Sequence, residues 1–345
     1  MSRRIRPRVP RWIAWALPAA LIVLSCRFVP GFAALWTRGV IRPLSALLSR
    51  ASAKAPFPLL EAFALVCAAW ALWGAVALPV RCLRARGLAP LARFAKRLTA
   101  SALAVALAYA LLWYPAYFAV GPQVHAATAE QVAALCEALI DRLNASALAF
   151  PDVEGALREA ERAASCLDGT AVPEGAVKAA RFPEWMDALG VAGLYSPWTA
   201  EAIVDGSASP AALVFTGCHE LMHLKGIADE GRANIAAWTA CSRAGGAAAD
   251  SANLWALRYA MSALHKADPA AWRACAGRMD AHLVEVFAQM NGFSGFAESG
   301  DGAVAAMLGI GGAIGSYDAL VGWLAGGYDR AVLGEWDRPV RLNGA

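Results

Sequence analysis

The sequence is poor in charged residues. Only 17% of its 345 residues are Asp, Glu, Lys or Arg, whereas 59% are hydrophobic. The mean hydropathy of +0.44 is too high for an ordinary soluble protein of this length. The net charge is only +4, and much of the excess of Arg and Lys precedes residue 100. This asymmetry is typical of a membrane protein and offers no folded basic surface for nucleic acid. We therefore expect a lipid bilayer, and no nucleic acid, as a partner.

Two kinds of short motif are also missing. None of the eight cysteines belongs to a CxxC pair, which argues against a zinc ribbon and against a dense disulfide framework. Cys136 and Cys166 are expected either to pair outside the cytoplasm or to be small buried thiols.

The glycine-rich stretch "GAVAAMLGIGGAIGSY" has no GxGxxG and no phosphate-binding Lys. This argues against nucleotide binding and favours close helix packing or a flap over a cleft.

Three apolar stretches precede residue 121. Leu98–Val120 and Ala62–Val80 are uncharged, so at about 1.5 Å per residue each can cross a hydrocarbon core of about 30 Å. Trp12–Cys26 is shorter and spans only if Arg27 snorkels to the interface and the helix continues to Trp36. A signal peptide is the alternative there, but no small-x-small cleavage site follows. We predict a membrane anchor, residues 1–120, with transmembrane helices at about 12–36, 60–80 and 98–120.

The positive charges of the short loops predict the orientation of this anchor. The N-terminus and the loop between the second and third stretches are richer in Arg and Lys than residues 37–56. The positive-inside rule therefore places the N-terminus in the cytoplasm and the chain after Val120 outside the cell membrane. Residues 37–56 are predicted to be either an amphipathic segment on the membrane surface or a connector packed on the large domain.

The remaining residues, 121–345, are predicted to form a second domain that is mainly helical. Residues 130–149 and 153–166 show amphipathic helical patterns. Residues 170–210 differ, because they carry Pro, Gly and β-branched residues in short runs that suit one or two short strands. A small β element is therefore expected within a helical domain.

The stretch "CHELMHLKGIADEGRAN" places two histidines four residues apart. On a helix, His219 and His223 project from the same face and can direct a ring nitrogen at one point. Glu220 lies about 100° further round, where it can reach a metal-bound water without ligating the metal. This is the HExxH pattern, in which Zn²⁺ lowers the pKa of its water to about 7, the glutamate takes the proton and the hydroxide attacks a carbonyl. The sequence therefore predicts a zinc site with Glu220 as general base.

A catalytic zinc ion needs a third protein ligand. Gly226 can end the helix in a left-handed conformation and turn the chain back over the metal. Asp229 fits the HExxHxxGxxD spacing of some metzincin-like sites. Glu230 begins "EGRAN", which is similar to the ExxA[DN] ligand helix of gluzincin peptidases and would let Asn234 support the site. We prefer Glu230 as the ligand, and Asp229 is then expected to cap the helix that follows.

Two further residues are candidates for a role at the site. Glu201, in "SPWTAEA", is expected on the β element, where it would bind a substrate amine, hold a histidine or form a surface ion pair. Tyr317, in "GSYDAL", is a candidate hydrogen-bond donor to the oxyanion of a tetrahedral intermediate, although packing is its favoured role.

Four stretches occur in an order that resembles a bacterial family, domain of unknown function 3810 (DUF3810). They are "APFPLLEAF", "GLYSPWTAEAIVDG", "FTGCHELMHLKGIADEGRAN" and "GSYDALVGWL". The resemblance covers nearly the whole chain and implies a membrane zinc peptidase with three N-terminal spans and an HExxH domain. The chain departs from the family pattern at Arg232, where an acidic residue is frequent, and at "WYPAYF" near the end of the third span, where the family often has an Asn-Tyr pair.

These features together predict a mainly α protein. Three N-terminal transmembrane helices precede a mostly helical, zincin-like metallopeptidase domain with a small β element. The favoured function is a membrane-anchored zinc metallopeptidase that cleaves a peptide or protein substrate. A non-catalytic zinc-binding scaffold or sensor in the membrane is the alternative, and Glu220 discriminates, since a structural metal site needs no glutamate to activate water. A transporter accessory without metal would require ordinary hydrogen bonds to satisfy both histidines.

Overall fold

A computed structural model describes residues 11–118, 126–294 and 319–326 of the chain. The chain divides into two compact units. The first comprises Met1–Pro43 and Ala62–Ala119, and the second comprises Leu44–Glu61 and Val120–Ala345. All of residues 1–120 were predicted to form one anchor domain. The structure instead assigns Leu44–Glu61, here called the inserted segment, to the second unit.

Helices form nearly all of the described chain up to residue 118. They are α1 (Arg11–Phe28), α2 (Phe32–Trp36), a π-helical turn (Thr37–Ile41), α3 (Arg42–Ser52), α4 (Leu59–Arg84), α5 (Ala89–Leu112) and a 3-10 turn (Tyr114–Phe118). Among the described residues, two stretches are long and apolar enough to cross a membrane, α4 and the run Ala89–Phe118. Only 6% and 11% of their most apolar windows are buried, whereas the core helix of a soluble domain is mostly buried. These stretches are therefore candidate membrane spans.

The prediction of a third span at about 12–36 is wrong. α1 ends two residues before Pro30, which has no amide hydrogen with which to continue the helix. Gly31 then adopts a φ of +78°, a left-handed conformation that turns the chain before the next helix. α1 itself has 18 residues, or about 27 Å, and it is not among the two stretches of the described residues that qualify as candidate spans.

The described residues of the second unit form one small sheet. Its strands are β1 (Val177–Ala179), β2 (Gly193–Ser196) and β3 (Glu201–Val204), in the order β1-β3-β2. β1 runs parallel to β3, and β2 runs antiparallel to it with Gly193 opposite Val204. β2 is therefore an edge strand. The sheet confirms the small β element predicted within residues 170–210.

Helices make up most of the rest of the second unit. They are α6 (Ala129–Asn144), α7 (Val153–Ser165), α8 (Glu184–Leu189), α9 (Pro210–Leu224), α10 (Glu230–Ala244), α11 (Gly246–Ala267), α12 (Pro269–Ala276) and α13 (Ala281–Ser294). α9 lies at the centre, packed against α7, α10, α11 and the sheet. Residues 211–224 of α9 are all buried. Polar side chains buried in such a helix need hydrogen-bond or metal partners. This requirement applies to His219 and His223. The mainly α prediction is confirmed.

The inserted segment is held to the sheet by side-chain hydrogen bonds. The hydroxyl groups of Tyr195 in β2 and Ser45 in α3 are 3.2 Å apart. The ammonium group of Lys178 in β1 donates to the carbonyl of Ser52 at 2.7 Å. Residues 37–56 were predicted to be either an amphipathic segment on the membrane surface or a connector packed on the large domain. The structure supports packing on the large domain for residues 44–56.

The cysteines carry free thiols, all eight of which lie in described residues. Cys136 is buried in α6, and Cys166 is half-buried at the end of α7. Burial raises the pKa of Cys136 to about 12, so that this thiol stays protonated at neutral pH. Cys136 and Cys166 were predicted either to form a disulfide or to be small buried thiols. In the structure they are two free thiols and form no disulfide.

Candidate metal centre

The last turns of α9 carry the HExxH stretch, and local sequence rules explain where the helix ends. Lys225 is the C-cap residue, and Gly226 follows with a φ of +82°. The amide of Gly226 donates to the carbonyl of His223 at 2.9 Å, and that of Ile227 donates to the carbonyl of Met222 at 3.1 Å. This is the Schellman arrangement, which satisfies carbonyls left open at a helix end. The glycine bend predicted from the sequence is therefore present.

The chain returns from this bend into α10, whose first residue is Glu230. Asp229 is the N-cap residue, and its side chain accepts from the amide of Arg232 at 2.9 Å. This fixes the direction in which α10 leaves the turn. Glu230 Oε2 consequently lies 3.0 Å from His219 Nε2 and 3.5 Å from His223 Nε2. Asp229 is engaged in capping, the role that the sequence analysis gave it.

The three side chains converge on one point. The two imidazole rings are perpendicular, with centroids 4.8 Å apart. One ligating atom from each of His219, His223 and Glu230 lies within 4.8 Å of the other two. Two imidazole nitrogens and a carboxylate oxygen form the ligand set of one class of catalytic metal site, in which a fourth position stays open. The cluster can therefore hold a divalent metal ion.

Hydrogen bonding sets the orientation of one ring. His223 Nδ1 donates to the carbonyl of Ile227 at 2.7 Å, so its Nε2 is the nitrogen turned toward Glu230. His219 Nδ1 is buried and has no hydrogen-bond partner within the described residues. Both rings are nearly buried, with 8% of His219 and 4% of His223 exposed. The Nε2 atoms are therefore presented to the cluster, as metal ligation requires.

The electrostatics of the cluster also fit a cation. Burial lowers the pKa of His223, but the carboxylates of Glu230 and Glu220 raise it more, to about 9. Burial raises the pKa of Glu230, and the two imidazoles lower it more strongly, well below its ordinary value. A proton on the His223 imidazole thus balances the carboxylate of Glu230. A divalent ion held by the same atoms would replace that proton.

Glu220 lies beside the cluster but is not one of its three members. It is 6% exposed, and burial raises its pKa above the ordinary value of a glutamate. The strand β2 passes directly over it. A Cβ added to Gly193 would lie 2.5 Å from Glu220 Oε1 and 2.9 Å from its Cγ. The absence of a side chain at Gly193 therefore makes the position of this carboxylate possible.

The other predicted residues differ in their surroundings. Glu201 is completely buried and pairs with Lys178 at 2.6 Å rather than with either histidine. Asn234 lies four residues after Glu230 on α10 and is 1% exposed, and its Nδ2 has no partner within the described residues. Tyr317 lies outside the described residues.

Two residues near the cluster were missed by the sequence analysis. Gly193 sits within a strand pattern, and an isolated glycine at such a position signals close approach of another group. Tyr195, two residues later, has its ring centroid 6.3 Å from that of His223. Burial raises the pKa of Tyr195 to about 12. No sequence signal connected this tyrosine with the histidines, because the pairing of β2 sets its position.

The described residues thus define a mainly helical protein with candidate membrane spans, a three-stranded sheet and a His-His-Glu cluster that can hold a metal ion. The chain belongs to the DUF3810 family. The family's sequence profile, described as "Protein of unknown function (DUF3810)", matches residues 36–302, a range that includes the whole cluster. No curated protein and no solved structure shows significant similarity to the chain.

Proposed function

We propose that this chain is a membrane-anchored, zinc-dependent metallopeptidase. One observation carries the proposal: His219, His223 and Glu230 converge on one point, and the buried carboxylate of Glu220 lies beside them without being a ligand. A structural zinc site closes its coordination with four protein ligands. A hydrolytic site combines three ligands with a nearby general base, and this is the combination that the chain offers.

Zinc bound by these three residues would supply Lewis acidity, polarising a substrate carbonyl and lowering the pKa of a water molecule. The protein's own contribution is proton transfer. Glu220 accepts a proton from the attacking water and delivers it to the amine that leaves. Gly193 lets the backbone of β2 cover Glu220 closely, which restricts the movement of the carboxylate and keeps it aimed at the reacting atoms.

The position of β2 supports a peptide or protein as the substrate. Within the described residues, β2 pairs only with β3 and leaves its other edge without a strand. Gly193 and Leu194 of this strand are half-buried, not sealed within the core. An extended peptide that added to this edge would form backbone hydrogen bonds with β2. It would then pass beside Glu220, because Gly193 contacts that residue.

We propose further that the second unit lies outside the cytoplasm. The loop that joins α4 to α5, with the adjoining helix ends, carries six basic residues: Arg81, Arg84, Arg86, Arg93, Lys96 and Arg97. The positive-inside rule places such a loop in the cytoplasm, so the chain before α4 and after α5 would lie on the opposite side. The cytoplasmic N-terminus predicted above depended on a third span and is not part of this proposal.

The test combines metal analysis with hydrolysis of a mixed peptide library by the purified full chain. We expect one zinc ion per chain in the wild type and loss of zinc in His223→Ala. Glu220→Gln is expected to keep its zinc and to lose about 10²–10⁴-fold in turnover. His282→Ala is a matched control, because His282 is exposed and its ring hydrogen-bonds to the carbonyl of Ala147 at 3.3 Å.

Three results would decide against the proposal. Hydrolysis that survives Glu220→Gln would exclude the general-base role, and a wild-type chain that binds no zinc would exclude the metal site. Zinc binding that needs His223, but without hydrolysis of any peptide, would instead support the non-catalytic scaffold or sensor.

A further inference from the structure

We propose that Tyr195 is a positioning residue for His223, and that Ser45 of the inserted segment holds Tyr195 in place. All three residues belong to the second unit. The inference rests on the metal site of the proposed function. It gives the inserted segment a part in that site, in addition to its packing on the sheet.

The strand β2 directs two of its side-chain positions at α9. Side chains alternate between the two faces of a strand, so positions 193 and 195 share one face. Gly193 contacts Glu220, and the ring of Tyr195 lies beside His223. One face of β2 therefore touches both the proposed general base and a proposed metal ligand. A shift of the strand by one residue would remove both contacts.

The ring of Tyr195 helps to fix the plane of the His223 imidazole. The two ring centroids are 6.3 Å apart and the planes are inclined by 37°, within the range of about 4.5–7 Å at which aromatic rings pair. His223 Nδ1 is hydrogen-bonded to the carbonyl of Ile227, but a bond at one nitrogen does not by itself set the plane of the ring. The perpendicular ring of His219 and the ring of Tyr195 supply the remaining constraints.

Ser45 in turn fixes the ring of Tyr195. The hydroxyl of Tyr195 donates to Ser45 Oγ at 3.2 Å, and only 6% of Tyr195 and 7% of Ser45 are exposed. A buried hydroxyl that loses its partner is unfavourable, so the bond keeps the ring in the orientation that reaches His223. Because the hydroxyl is turned toward Ser45, Tyr195 acts through His223 and not on a substrate.

The inserted segment contacts side chains from both faces of the sheet. Tyr195 and Glu201 belong to opposite faces, as the register between β2 and β3 shows. Lys178, the partner of Glu201, donates to the carbonyl of Ser52. Ser45 makes the contact on the face that is turned toward α9. The same segment therefore supports the sheet from behind and the metal centre from in front.

The expected effects follow from the groups that each substitution removes. Groups that orient a metal ligand without touching the metal typically change metal affinity about 10–100-fold, and we expect a loss of this size for Tyr195→Leu. Tyr195→Phe and Ser45→Ala keep the ring and remove one hydrogen bond, so about fivefold is expected for each. Because both remove the same bond, the double variant is expected to lose no more than either single variant.

The test measures the affinity of the metal-free full chain for Zn²⁺, in detergent, by competition with a chromogenic chelator. Thr199→Val is the matched control. The hydroxyl of Thr199 donates to Ser196 Oγ at 2.7 Å, which is also a pair of hydroxyls at β2, but Ser196 lies on the opposite face of the strand from Tyr195. We expect its Zn²⁺ affinity to equal that of the wild type.

A second readout separates positioning from a general loss of stability. The visible absorption of bound Co²⁺ reports the geometry of the ligands, and the melting temperature of the metal-free chain reports stability. We expect the Co²⁺ spectrum to change in Tyr195→Leu and to coincide with that of the wild type in Thr199→Val. If Tyr195→Leu does not fold, Tyr195→Phe and Ser45→Ala decide the question.

Four results would overturn the inference. They are wild-type Zn²⁺ affinity in the folded variants of Tyr195 and Ser45, an unchanged Co²⁺ spectrum in folded Tyr195→Leu, an equal loss of affinity in Thr199→Val, and a double variant that loses the product of the two single effects. In each case a wild type that binds zinc and hydrolyses peptides would leave the proposed function standing. A wild type that binds no Zn²⁺ would overturn both.

Discussion

Removal of the Glu201 carboxylate provides the sharpest test of how the second unit is held together. Lys178 Nζ lies 2.6 Å from Glu201 Oε1, and the two side chains are only 7% and 0% exposed. Glu201 also accepts from the amides of Leu59 and Leu60. Glu201→Ala therefore leaves a buried ammonium group without its counter-ion and two backbone amides without an acceptor.

The expected loss of stability follows from these contacts. Breaking a buried ion pair by removing one partner costs about 3–5 kcal/mol. Each amide left without an acceptor adds about 1–3 kcal/mol unless water reaches it. In a domain of this size, 1 kcal/mol corresponds to about 2–4 °C in melting temperature. The loss of the ion pair alone therefore predicts a decrease of about 6–20 °C.

The assay is thermal unfolding of the full chain in detergent micelles, followed by circular dichroism. Glu154→Ala is the matched control, because Glu154 and Arg158 pair at 2.7 Å with side chains that are 80% and 53% exposed. Exposed helical pairs of this kind contribute about 0.3–0.5 kcal/mol, so a shift under about 2 °C is expected. If Glu201→Ala shifts the melting temperature no more than Glu154→Ala does, the reasoning is refuted.

Three further predictions concern the metal centre and the extent of the second unit. Gly193→Ala places a Cβ 2.5 Å from Glu220 Oε1, so the carboxylate must move, and we expect peptide hydrolysis to fall about 10²-fold with zinc content unchanged. Glu230→Gln is expected to lose zinc, whereas Asp229→Ala keeps zinc and lowers the free energy of unfolding by about 0.5–2 kcal/mol through loss of the α10 N-cap. Residues 121–345 produced alone lack the inserted segment, and we expect circular dichroism and gel filtration to show that they do not fold.

Each of these predictions has its own control or contrary result. Gly326→Ala adds a Cβ with no atom within 4 Å and is expected to leave zinc content and hydrolysis unchanged. Equal zinc contents in the variants of Asp229 and Glu230 would contradict the choice of the third ligand. A folded, monodisperse fragment of residues 121–345 would show that the inserted segment is dispensable.

The turn between α9 and α10 was predictable because interactions between residues close in sequence govern it. His219 and His223 are one helical turn apart, and that spacing alone places both on one face. Gly226 ends α9 through hydrogen bonds to residues three to five positions earlier. Asp229 caps α10 through an amide three residues ahead. The approach of Glu230 to both histidines follows from these local steps, so the sequence contained sufficient information for it.

The surroundings of the cluster were not predictable in the same way, because distant parts of the chain form them. Gly193 covers Glu220 only because β2 joins β3 in a sheet that also includes β1. Glu201 was expected to bind a substrate amine, to hold a histidine or to form an ion pair on the surface. Its buried partner Lys178 lies on another strand, and no periodic pattern relates the two residues. Pairing of this kind depends on the tertiary fold.

The membrane region shows the limit of hydropathy as a guide. An apolar stretch predicts burial in lipid or in protein but does not show whether one continuous helix runs through it. At Pro30 and Gly31 the backbone rules override the apolar pattern, and α1 ends before them. Ala62–Val80 falls within the candidate span α4, and the described part of Leu98–Val120 falls within the candidate run Ala89–Phe118. The structure therefore contains candidates for two of the three spans that the sequence predicted.

The inserted segment restricts how the chain can cross a membrane. Leu44–Glu61 folds with the residues after 120 as one compact unit, and water-soluble parts of one unit must lie on the same side of a bilayer. The chain between Glu61 and residue 126 must therefore cross the bilayer an even number of times, whichever side the unit occupies. α4 and the run Ala89–Phe118 are the candidates for two such crossings among the described residues. A reporter fused after Ser49 and a second one within α13 would thus have to give the same sidedness, and opposite sidedness would show that one of the two helices does not span.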